Sequence, residues 1–430
     1  MTPARGAAVV VDAYSTGAKL APRFAAAGLP VVHLRSSPAT PDFYLRSFRR
    51  EDFAAEIVHA GDLEATLARL AAHEPAFVVV GSEPGVPLAD ALSERLGLPS
   101  NGTALSRARR DKHAMAGALR AAGLRAVEEL KTGDPAAAAA WARQRGEWPV
   151  VVKPLDSAGT DGVALCEDAA AVEAAFAALL GRPNALRGAN EELLVQELLR
   201  GTQLFVNTVS WEGVHHVSEV WRDEKRRIAG NLVYDYEELL DRHGPAQDEV
   251  VPYVEAVLDA LGIRFGPAHT EAMLTAAGPV LVESGARMHG SVRDDVIDRC
   301  TPSHPALVAE AYLDPGSVAR RAARPYELRA AAYCVMLISR HEGRIVSAEG
   351  LRAIEQLPSF AGSIAMLGAG EELRRTVDLF TCPGMAYLVA SDRTRLHADY
   401  KRLRELEAKG LFELEQPLKH RRRADTSRLA

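Results

Sequence analysis

The chain has 430 residues, more than one hydrophobic core usually holds, so we expect two to four packed units. Its 51 lysines and arginines against 57 aspartates and glutamates give a net charge of -6, which offers no broad positive field and predicts no nucleic-acid partner. No apolar run approaches the roughly 20 residues of a membrane span, and the first residues turn polar too soon for a secretory signal, so we expect a cytoplasmic protein with no membrane partner.

The first hundred residues alternate between short apolar runs and helical stretches. Apolar runs at 7–11, 30–34 and 76–80 are accompanied by the helical segment 19–27 and, after the loop GSEPG, by the helical stretch VPLADALSERLG. This βαβ rhythm predicts a doubly wound α/β domain over residues 1–110. The first turn, Asp12 to Gly17, is not GxGxxG, so a nicotinamide dinucleotide role loses its main support.

Two further units are predicted downstream. A helix begins near Asp111, and strand-like stretches such as LLVQELL and FVNTVSW alternate with helices, which predicts an α+β domain over residues 111–311. Strand-like AAYCVMLISR and MAYLVAS and an amphipathic helix at 396–408 predict a C-terminal α+β domain over residues 312–418. Residues 419–430 have no apolar periodicity and are expected to be a basic tail.

A cation precedes a glycine-containing loop in the middle of the chain. Lys153 ends the apolar run VVVK and is followed by PLDSAGTDGV, in which Gly159 and Gly162 would let backbone N–H groups face phosphate oxygens. A Walker A loop carries its lysine after the glycines, so the order here argues against a P-loop. Lys112, at the start of the helix after RRD, could reach the same phosphates, although a solvated lysine at a helix start is the commoner case.

The sharpest pattern is HTEAMLTAAGPVLVESGAR, in which two apolar strands flank the loop Ala276 to Gly278. A three-residue hairpin loop pairs Thr275 with Pro279 and therefore places Glu271 directly opposite Glu283. The Cβ atoms of opposed residues lie about 5 Å apart, so two carboxylates there repel each other. A Mg²⁺ ion held by both acids would offset the repulsion. A hairpin that slips by one residue, or an arginine between the acids, is the alternative.

Side chains alternate along a strand, so His269 shares the face of Glu271, and Arg287 shares the face of Glu283 if the strand continues. Arg287 is then placed to neutralise a transferring phosphoryl group, and His269 to orient an acidic ligand or approach the substrate. A strand histidine is more often a satisfied core residue, so its role stays open. Further candidates, each commoner as a surface charge, are His289, Arg222 and Lys225.

Glu83 lies in the loop between the run FVVV and a helix. Ligands of doubly wound sheets bind at such loops, outside the carboxyl ends of the strands. We expect Glu83 to hold the α-ammonium group of an amino-acid substrate. A solvated loop acid is the plain alternative.

Together these motifs resemble the ATP-grasp superfamily, and within it the bacterial L-amino-acid ligases of the group that contains the bacilysin dipeptide synthetase. The stretches that carry the resemblance are GSEPGVPLAD, ARRDKHAM, VVVKPLDSAGTDGV, LFVNTVSWEGVHHVSEVW, GPAHTEAML, GPVLVESGAR and DLFTCPGMAYLVASD. The resemblance implies an ATP-grasp fold with an N-terminal doubly wound α/β domain, a lid subdomain at about 148–200 and a C-terminal α+β domain.

The resemblance also implies roles for single residues. The metal-binding acids match Glu271 and Glu283, and the catalytic groups match Arg287, His269 and Lys153. Nucleotide contacts are implied for the two phosphate lysines, the glycine-rich lid and the adenine hinge with its ribose neighbour: Lys112, Lys153, Ser157, Gly159, Thr160, Gly162, Gln196, Glu197, Leu199 and Gln203. Substrate contacts are expected at Glu83, His269, Arg287 and Gly290.

Two departures from the family pattern concern the nucleotide and the metal. Many ATP-grasp enzymes carry an acid where this chain has Gln203, so an amide replaces the usual carboxylate grip on the ribose. Many also carry Asn where this chain has Gly285, so a third protein ligand is missing and a two-metal arrangement is placed in doubt. The gap opposite His269 could admit that imidazole or part of the substrate.

The expected function is an ATP-dependent carboxylate-amine ligase that joins amino-acid-like substrates through an acyl phosphate and releases ADP and phosphate. ATP and Mg²⁺, with Mn²⁺ as a substitute, are the expected cofactors, and a homodimer is the expected assembly. The alternatives are an ATP-grasp carboxylase or nucleotide-precursor ligase, and a nucleotide-binding scaffold without chemistry.

Overall fold

The computed structural model of the chain describes residues 6–155, 162–182, 190–228, 231–290 and 292–415. Its N-terminal part alternates strands and helices: β1 (Ala7–Val11), α1 (Leu20–Ala26), β2 (Val31–Arg35), α2 (Asp42–Leu45), β3 (Ala55–Val58), α3 (Leu63–Ala71), β4 (Pro75–Val80) and α4 (Val86–Arg95). The strands form a parallel sheet in the order β3-β2-β1-β4. Because side chains alternate, Val10 packs with Phe24 of α1 on one face and Val9 packs with Leu92 of α4 on the other. The predicted doubly wound fold class is confirmed.

A second, smaller sheet follows. Its elements are α5 (Lys112–Ala121), β5 (Glu129–Thr132), α6 (Pro135–Arg145), β6 (Val150–Pro154), β7 (Ala164–Cys166), α7 (Ala169–Leu179) and β8 (Leu193–Glu197). The strands are antiparallel in the order β5-β8-β6-β7, and α6 and α7 cover one face through small and aromatic residues such as Ala142 and Phe176. Asp111 caps α5 by accepting hydrogen bonds from His113 N and Ala114 N, at 2.9 and 3.0 Å, which fixes where Lys112 starts the helix.

The largest sheet begins with β9 to β13. The elements here are β9 (Thr202–Trp211), β10 (Val214–Ile228), β11 (Asn231–Leu240), α8 (Pro245–Ala260), β12 (Gly266–Thr275) and β13 (Gly278–Gly285), followed by the helices α9 (Asp294–Ile297), α10 (His304–Leu313) and α11 (Gly316–Ala322). The strands are antiparallel in the order β13-β12-β9-β10-β11. Helix α8 packs on the sheet through Val250, Val254 and Val257, which follow the helical period.

The C-terminal elements continue this sheet. They are β14 (Ala331–Met336), β15 (Gly343–Ser347), α12 (Leu351–Glu355), β16 (Phe360–Ile364), β17 (Glu372–Leu373), β18 (Met385–Ala390), α13 (Arg393–Lys409) and β19 (Glu413–Leu414). Strand β14 pairs with β11, so the sheet extends through β14, β18 and β16. The sheet thus runs across the boundary predicted between residues 311 and 312. The domain boundaries stay predictions.

The parallel sheet docks against the large sheet. Met288, Val308 and Tyr312 lie in the same core cluster as Val10 and Phe24, so the segment after β13 and helix α10 pack on one face of the N-terminal unit. This packing brings the loop after β4 beside the end of β13. No helix among the described residues is both long and apolar enough to cross a lipid bilayer.

Candidate active site

Strands β12 and β13 carry the predicted acid pair. Glu271 lies directly opposite Glu283, as predicted, although the turn differs from the prediction. Thr275 pairs with Gly278, so the loop has two residues rather than three, and a β-bulge at Val282 then moves the register by one residue. The two differences cancel, and the acids remain opposed.

Positive and polar groups surround the two acids. Lys112 Nζ lies 3.1 Å from Glu283 Oε1, and Gln203 Nε2 donates a hydrogen bond of 2.8 Å to Glu271 Oε2. Burial opposes the ionisation of Glu271, but the contact with His269 and the positive charges of Lys225 and Arg287 lower the pKa of this carboxyl to about 2. Glu271 is therefore a carboxylate at neutral pH, which suits a cation ligand.

Lys153 approaches the same region from the smaller sheet. The backbone N–H of Lys112 donates to the carbonyl oxygen of Leu155 at 3.4 Å, which ties the start of α5 to the end of β6. Burial, together with the nearby charge of Lys112, lowers the pKa of Lys153 to about 8. The Lys153 ammonium makes no ion pair with another residue in the described ranges. Two converging lysines, with the pKa of Lys153 depressed, are the arrangement expected where phosphates bind.

Arg287 meets the N-terminal unit through Glu83. Arg287 Nε donates to Glu83 Oε2 at 2.9 Å, and Arg110 Nε lies 3.4 Å from Glu83 Oε1. Both carboxylate oxygens of Glu83 therefore already face arginines. Glu83 thus holds Arg287 in place, and the predicted contact of Glu83 with a substrate ammonium group stays a prediction.

The same ion pair explains the glycine at position 285. A Cβ atom on Gly285 would lie 3.0 Å from Glu83 Oε2 and 3.1 Å from Arg287 Nε, closer than nearly all such contacts. An asparagine there would press on the Glu83–Arg287 pair. The missing third metal ligand is thus the consequence of a salt bridge that fills its space.

His269 is directly opposite Gly285 and is held by a chain of hydrogen bonds. Its Nδ1 lies 2.8 Å from Asn207 Oδ1, while Asn207 Nδ2 donates to Glu219 Oε2 at 2.9 Å. Because Glu219 takes the amide N–H, the oxygen of Asn207 faces the imidazole, and Nδ1 carries the proton. Burial lowers the pKa of His269, whereas the Glu271 carboxylate, whose Oε1 lies 3.4 Å from Nε2, favours a proton on that nitrogen.

The predicted adenine hinge uses its side chains to hold the smaller sheet together. Gln196 Nε2 donates to Glu129 Oε2 at 2.5 Å, and Glu197 Oε1 accepts from the backbone N–H of Glu128 at 2.9 Å. Only backbone groups at this point are then available to an adenine edge. A cleft beside the hinge is lined by Lys112, Met115, Ala126, Gln196, Leu281 and Val282.

The remaining nucleotide candidates divide into two groups. Ser157, Gly159 and Thr160 lie outside the described residues. Gly162 is described, with φ of 69°, beside Pro154. Leu199 packs in a small apolar cluster with Ala116, Val127 and Val280.

Gln203 is engaged at both ends of its amide. It donates to Glu271 and accepts a hydrogen bond of 2.9 Å from Lys225 Nζ, which also lies 3.1 Å from Asp223 Oδ2. A contact with ribose would have to replace one of these hydrogen bonds. In the unliganded chain, Gln203 links a buried lysine to the metal candidate.

The other candidates differ in how close they lie to the acids. The His289 ring stacks on His269 with centroids 4.6 Å apart, and its Nε2 lies 3.9 Å from Glu237 Oε1. Gly290 follows it and is exposed. Arg222 is engaged elsewhere, in ion pairs with Glu224 and Glu238.

Sequence reasoning missed Asp223 and Glu237. They are directly opposed on β10 and β11, and both are buried. The register that pairs Ile228 with Asn231 would place Asp223 opposite Tyr236, and only the register shift between Glu224 and Lys225 brings Asp223 opposite Glu237, so the local sequence pattern does not give this pair. Among the described residues, no group of three or more His, Cys, Asp or Glu side chains is arranged to hold a metal ion. A metal at Glu271 and Glu283 would need further ligands beyond the described side chains.

The geometry agrees with what comparison with known proteins finds. No family model matches the chain. The chain is 33% identical over 413 residues to dapdiamide A synthase of Enterobacter agglomerans, covering 93% of this chain and 95% of the relative. Its fold is similar to a crystal structure of an L-amino acid ligase from Bacillus licheniformis, with a TM-score of 0.74, 19% identity and coverage of 96% of this chain and 100% of that one.

A second solved structure has the same fold. Carboxyaminoimidazole ribonucleotide synthase of Aspergillus clavatus, in complex with ATP, aligns with a TM-score of 0.69 at 16% identity, covering 94% of this chain and 99% of that one. The predicted membership is therefore confirmed by a relative that matches along nearly the full length. The chain belongs to the ATP-grasp ligases, enzymes that form amide bonds with ATP.

Proposed function

We propose that this enzyme activates the carboxylate of an amino-acid-like substrate as an acyl phosphate and joins it to the amine of a second substrate. ADP and phosphate are the other products. The observation that carries the proposal is the convergence of the opposed acids Glu271 and Glu283 with Lys112, Lys153 and Arg287, which come from four different parts of the chain.

The two acids fit a magnesium ion. Mg²⁺ binds through one or two carboxylates and completes its octahedron with phosphate oxygens and water. Glu271 is ionised, and the Glu283 side chain is 28% exposed, so its second oxygen is within reach of a ligand. Bound there, the ion would offset negative charge on the phosphates.

The basic groups would neutralise the negative charge of the phosphates that the metal ion leaves. Lys112 and Lys153 approach from helix α5 and strand β6, and we assign them to the phosphates of ATP. Arg287, fixed by Glu83, is assigned to the transferring phosphoryl group and the acyl phosphate that results. Phosphoryl transfer depends mainly on positioning and electrostatic stabilisation, which these fixed cations supply.

His269 and the hinge complete the assignments. The imidazole presents Nε2 beside Glu271, where it would orient that carboxylate by donating to it or would contact the substrate. The backbone of Glu197 to Leu199, with the cleft beside Gln196, would receive adenine. The requirement for ATP supports a cytoplasmic location. The homodimer stays a prediction.

Amino acids are the substrate class that the relatives support. One relative is named as a dapdiamide A synthase and a structural neighbour as an L-amino acid ligase. The fold alone would equally suit a nucleotide-precursor ligase, because the Aspergillus clavatus enzyme shares it.

One experiment tests the proposal. Pairs of amino acids are incubated with the enzyme, ATP and Mg²⁺, and ADP, AMP, phosphate and product mass are measured. We expect ADP and phosphate to form in equal amounts with an amide product of at least one pair. AMP release, or ADP release only with bicarbonate or a purine precursor, would contradict the proposal. A catalytically silent scaffold would release no ADP under any condition.

A further inference from the structure

A second pair of opposed acids lies on the large sheet, beyond β9 from the first. Asp223 on β10 is directly opposite Glu237 on β11. The two residues are only 8% and 5% exposed. Opposed carboxylates at such depth repel each other and are costly to bury unless a cation or a proton neutralises them, and burial raises the pKa of Glu237 well above its usual range.

The described residues neutralise only part of this charge. Lys225 Nζ lies 3.1 Å from Asp223 Oδ2, but Asp223 Oδ1 is buried without a hydrogen-bond partner. For Glu237, the nearest basic atom is His289 Nε2 at 3.9 Å, too far for a hydrogen bond, and burial lowers the pKa of that histidine well below its usual range. Lys225 is also shared with Gln203, which is bound to Glu271.

The position of the pair links it to the reacting groups. Glu237 is beside His289, whose ring stacks on His269 at 4.6 Å, and His269 Nε2 lies 3.4 Å from Glu271 Oε1. The two stacked histidines therefore lie between Glu237 and the metal candidate Glu271.

The chemistry of the pair suits an ammonium group better than a metal ion. No group of three metal-ligating side chains occurs in the described part of the chain, and the Lys225 ammonium would repel a divalent ion beside Asp223. A primary ammonium carries one charge and three N–H donors, which match Asp223 Oδ1 and the carboxylate of Glu237.

We propose that Asp223 and Glu237 form the subsite for the primary ammonium group of the amino acid whose carboxylate is activated. This assignment rests on the proposed function. The amine that attacks the acyl phosphate must be neutral, whereas an amine between two carboxylates is kept protonated. The subsite thus binds the amine that does not take part in amide formation.

The test measures binding of two matched ligands. The first is the donor amino acid identified by the product masses above, and the second is the acid of the same carbon skeleton without the amino group, such as propionate for alanine or 3-methylbutanoate for valine. Dissociation constants are measured by titration calorimetry with Mg²⁺ and a non-hydrolysable ATP analogue. Glu237→Gln and Asp223→Asn should each weaken donor binding at least ~10-fold, the usual loss when one partner of a buried charge pair is removed.

Binding of the amine-free acid should change less than about threefold in the same variants, because it lacks the group that the subsite recognises. Glu224→Gln is the matched control, since Glu224 is the next residue on β10 and pairs with Arg222 instead. Equal losses for both ligands, or unchanged donor binding, would overturn the subsite. A wild-type enzyme that makes no amide from any amino-acid pair would overturn the proposed function instead, so the two failures are distinct. Thermal midpoints without ligand report whether each variant folds.

Discussion

Two pairs of opposed carboxylates lie on one sheet, and their surroundings differ. Glu283 has Lys112 at 3.1 Å and Glu271 accepts a hydrogen bond from Gln203, so each acid of the first pair has a partner in the unliganded chain. In the second pair, Asp223 Oδ2 faces Lys225, but among the described residues Asp223 Oδ1 has no hydrogen-bond partner, and the nearest basic atom to Glu237 is in a neutral imidazole at 3.9 Å.

The difference shows what a strand register can and cannot reveal. Both pairs follow from the same cross-strand geometry, in which like charges face each other at short range. What separates them is the set of side chains contributed by other elements. Several cations from other elements, which suit phosphates, surround the first pair, whereas Lys225 is the lysine that the described residues place beside the second pair.

The largest effect is expected from breaking the first pair. Glu271→Gln and Glu283→Gln should each reduce Mg²⁺-dependent turnover by at least ~10²-fold, the usual cost of losing one pre-organised electrostatic group. ADP release as a function of Mg²⁺ concentration is the measurement, with Glu224→Gln as a control of equal charge change. Near-normal activity in either variant would remove these acids from the metal site.

Replacing Glu83 tests the role of Arg287, which lies at the edge of the Glu271–Glu283 pair. Because Glu83 accepts from Arg287 Nε at 2.9 Å, Glu83→Gln should loosen that arginine and lower kcat about 10-fold, with KM for ATP little changed. Initial rates with each substrate varied in turn measure this. A selective rise in KM for one amino acid at constant kcat would instead restore the role that the sequence predicted for Glu83, and would weaken the case for the second acid pair.

The sequence predicted most of the fold because its signals are local. The apolar run 7–11 coincides with β1, and the helix predicted at 396–408 lies within α13. The Glu271–Glu283 pairing also followed from local pattern, although a two-residue loop and a bulge replaced the expected turn. The roles of these acids stay predictions that the variants above test.

The partners of the site residues could not be predicted, because they depend on contacts between distant segments. Glu83 and Arg287 are 204 residues apart, and nothing in the sequence indicates that Arg287 would occupy the carboxylate expected to bind substrate. The joining of β11 to β14 is equally non-local. Gly285 is informative in retrospect, since its missing side chain makes room for that ion pair.

Lys153 gives the first site a pH dependence. Burial and the charge of Lys112 lower the pKa of Lys153 to about 8, so the free enzyme loses this charge as pH rises through 8, and bound phosphates would restore it. ATP affinity should then fall several-fold between pH 7 and 9, while Lys153→Met should bind more weakly at pH 7 and lose the dependence. Dissociation constants at pH 7, 8 and 9 measure both. If ATP affinity changed with pH by the same factor in wild type and in Lys153→Met, another group would cause the pH dependence.

The smallest expected effect is on thermal stability, where removing the charge of an acid should have opposite signs in the two acid pairs. Burial raises the pKa of Asp223 to about 6 from 3.8, partly opposed by Lys225, so the folded state holds this proton more tightly than the unfolded chain. The contribution of protonated Asp223 to the free energy of unfolding is full below pH 3.8 and is lost as the pH rises through 6. Asp223→Asn should therefore raise the unliganded thermal midpoint relative to wild type by about 1–2 °C at pH 7 and by less at pH 4.5. The pKa of Glu271 is shifted in the opposite direction, to about 2, so the ionised Glu271 stabilises the folded chain above the usual pKa of a glutamate. Glu271→Gln should therefore lower the thermal midpoint at pH 7.

Scanning calorimetry of both variants without ligand measures whether each thermal midpoint rises or falls. A lower midpoint in Asp223→Asn at pH 7 would mean that the Asp223 carboxylate has sufficient partners in the folded chain.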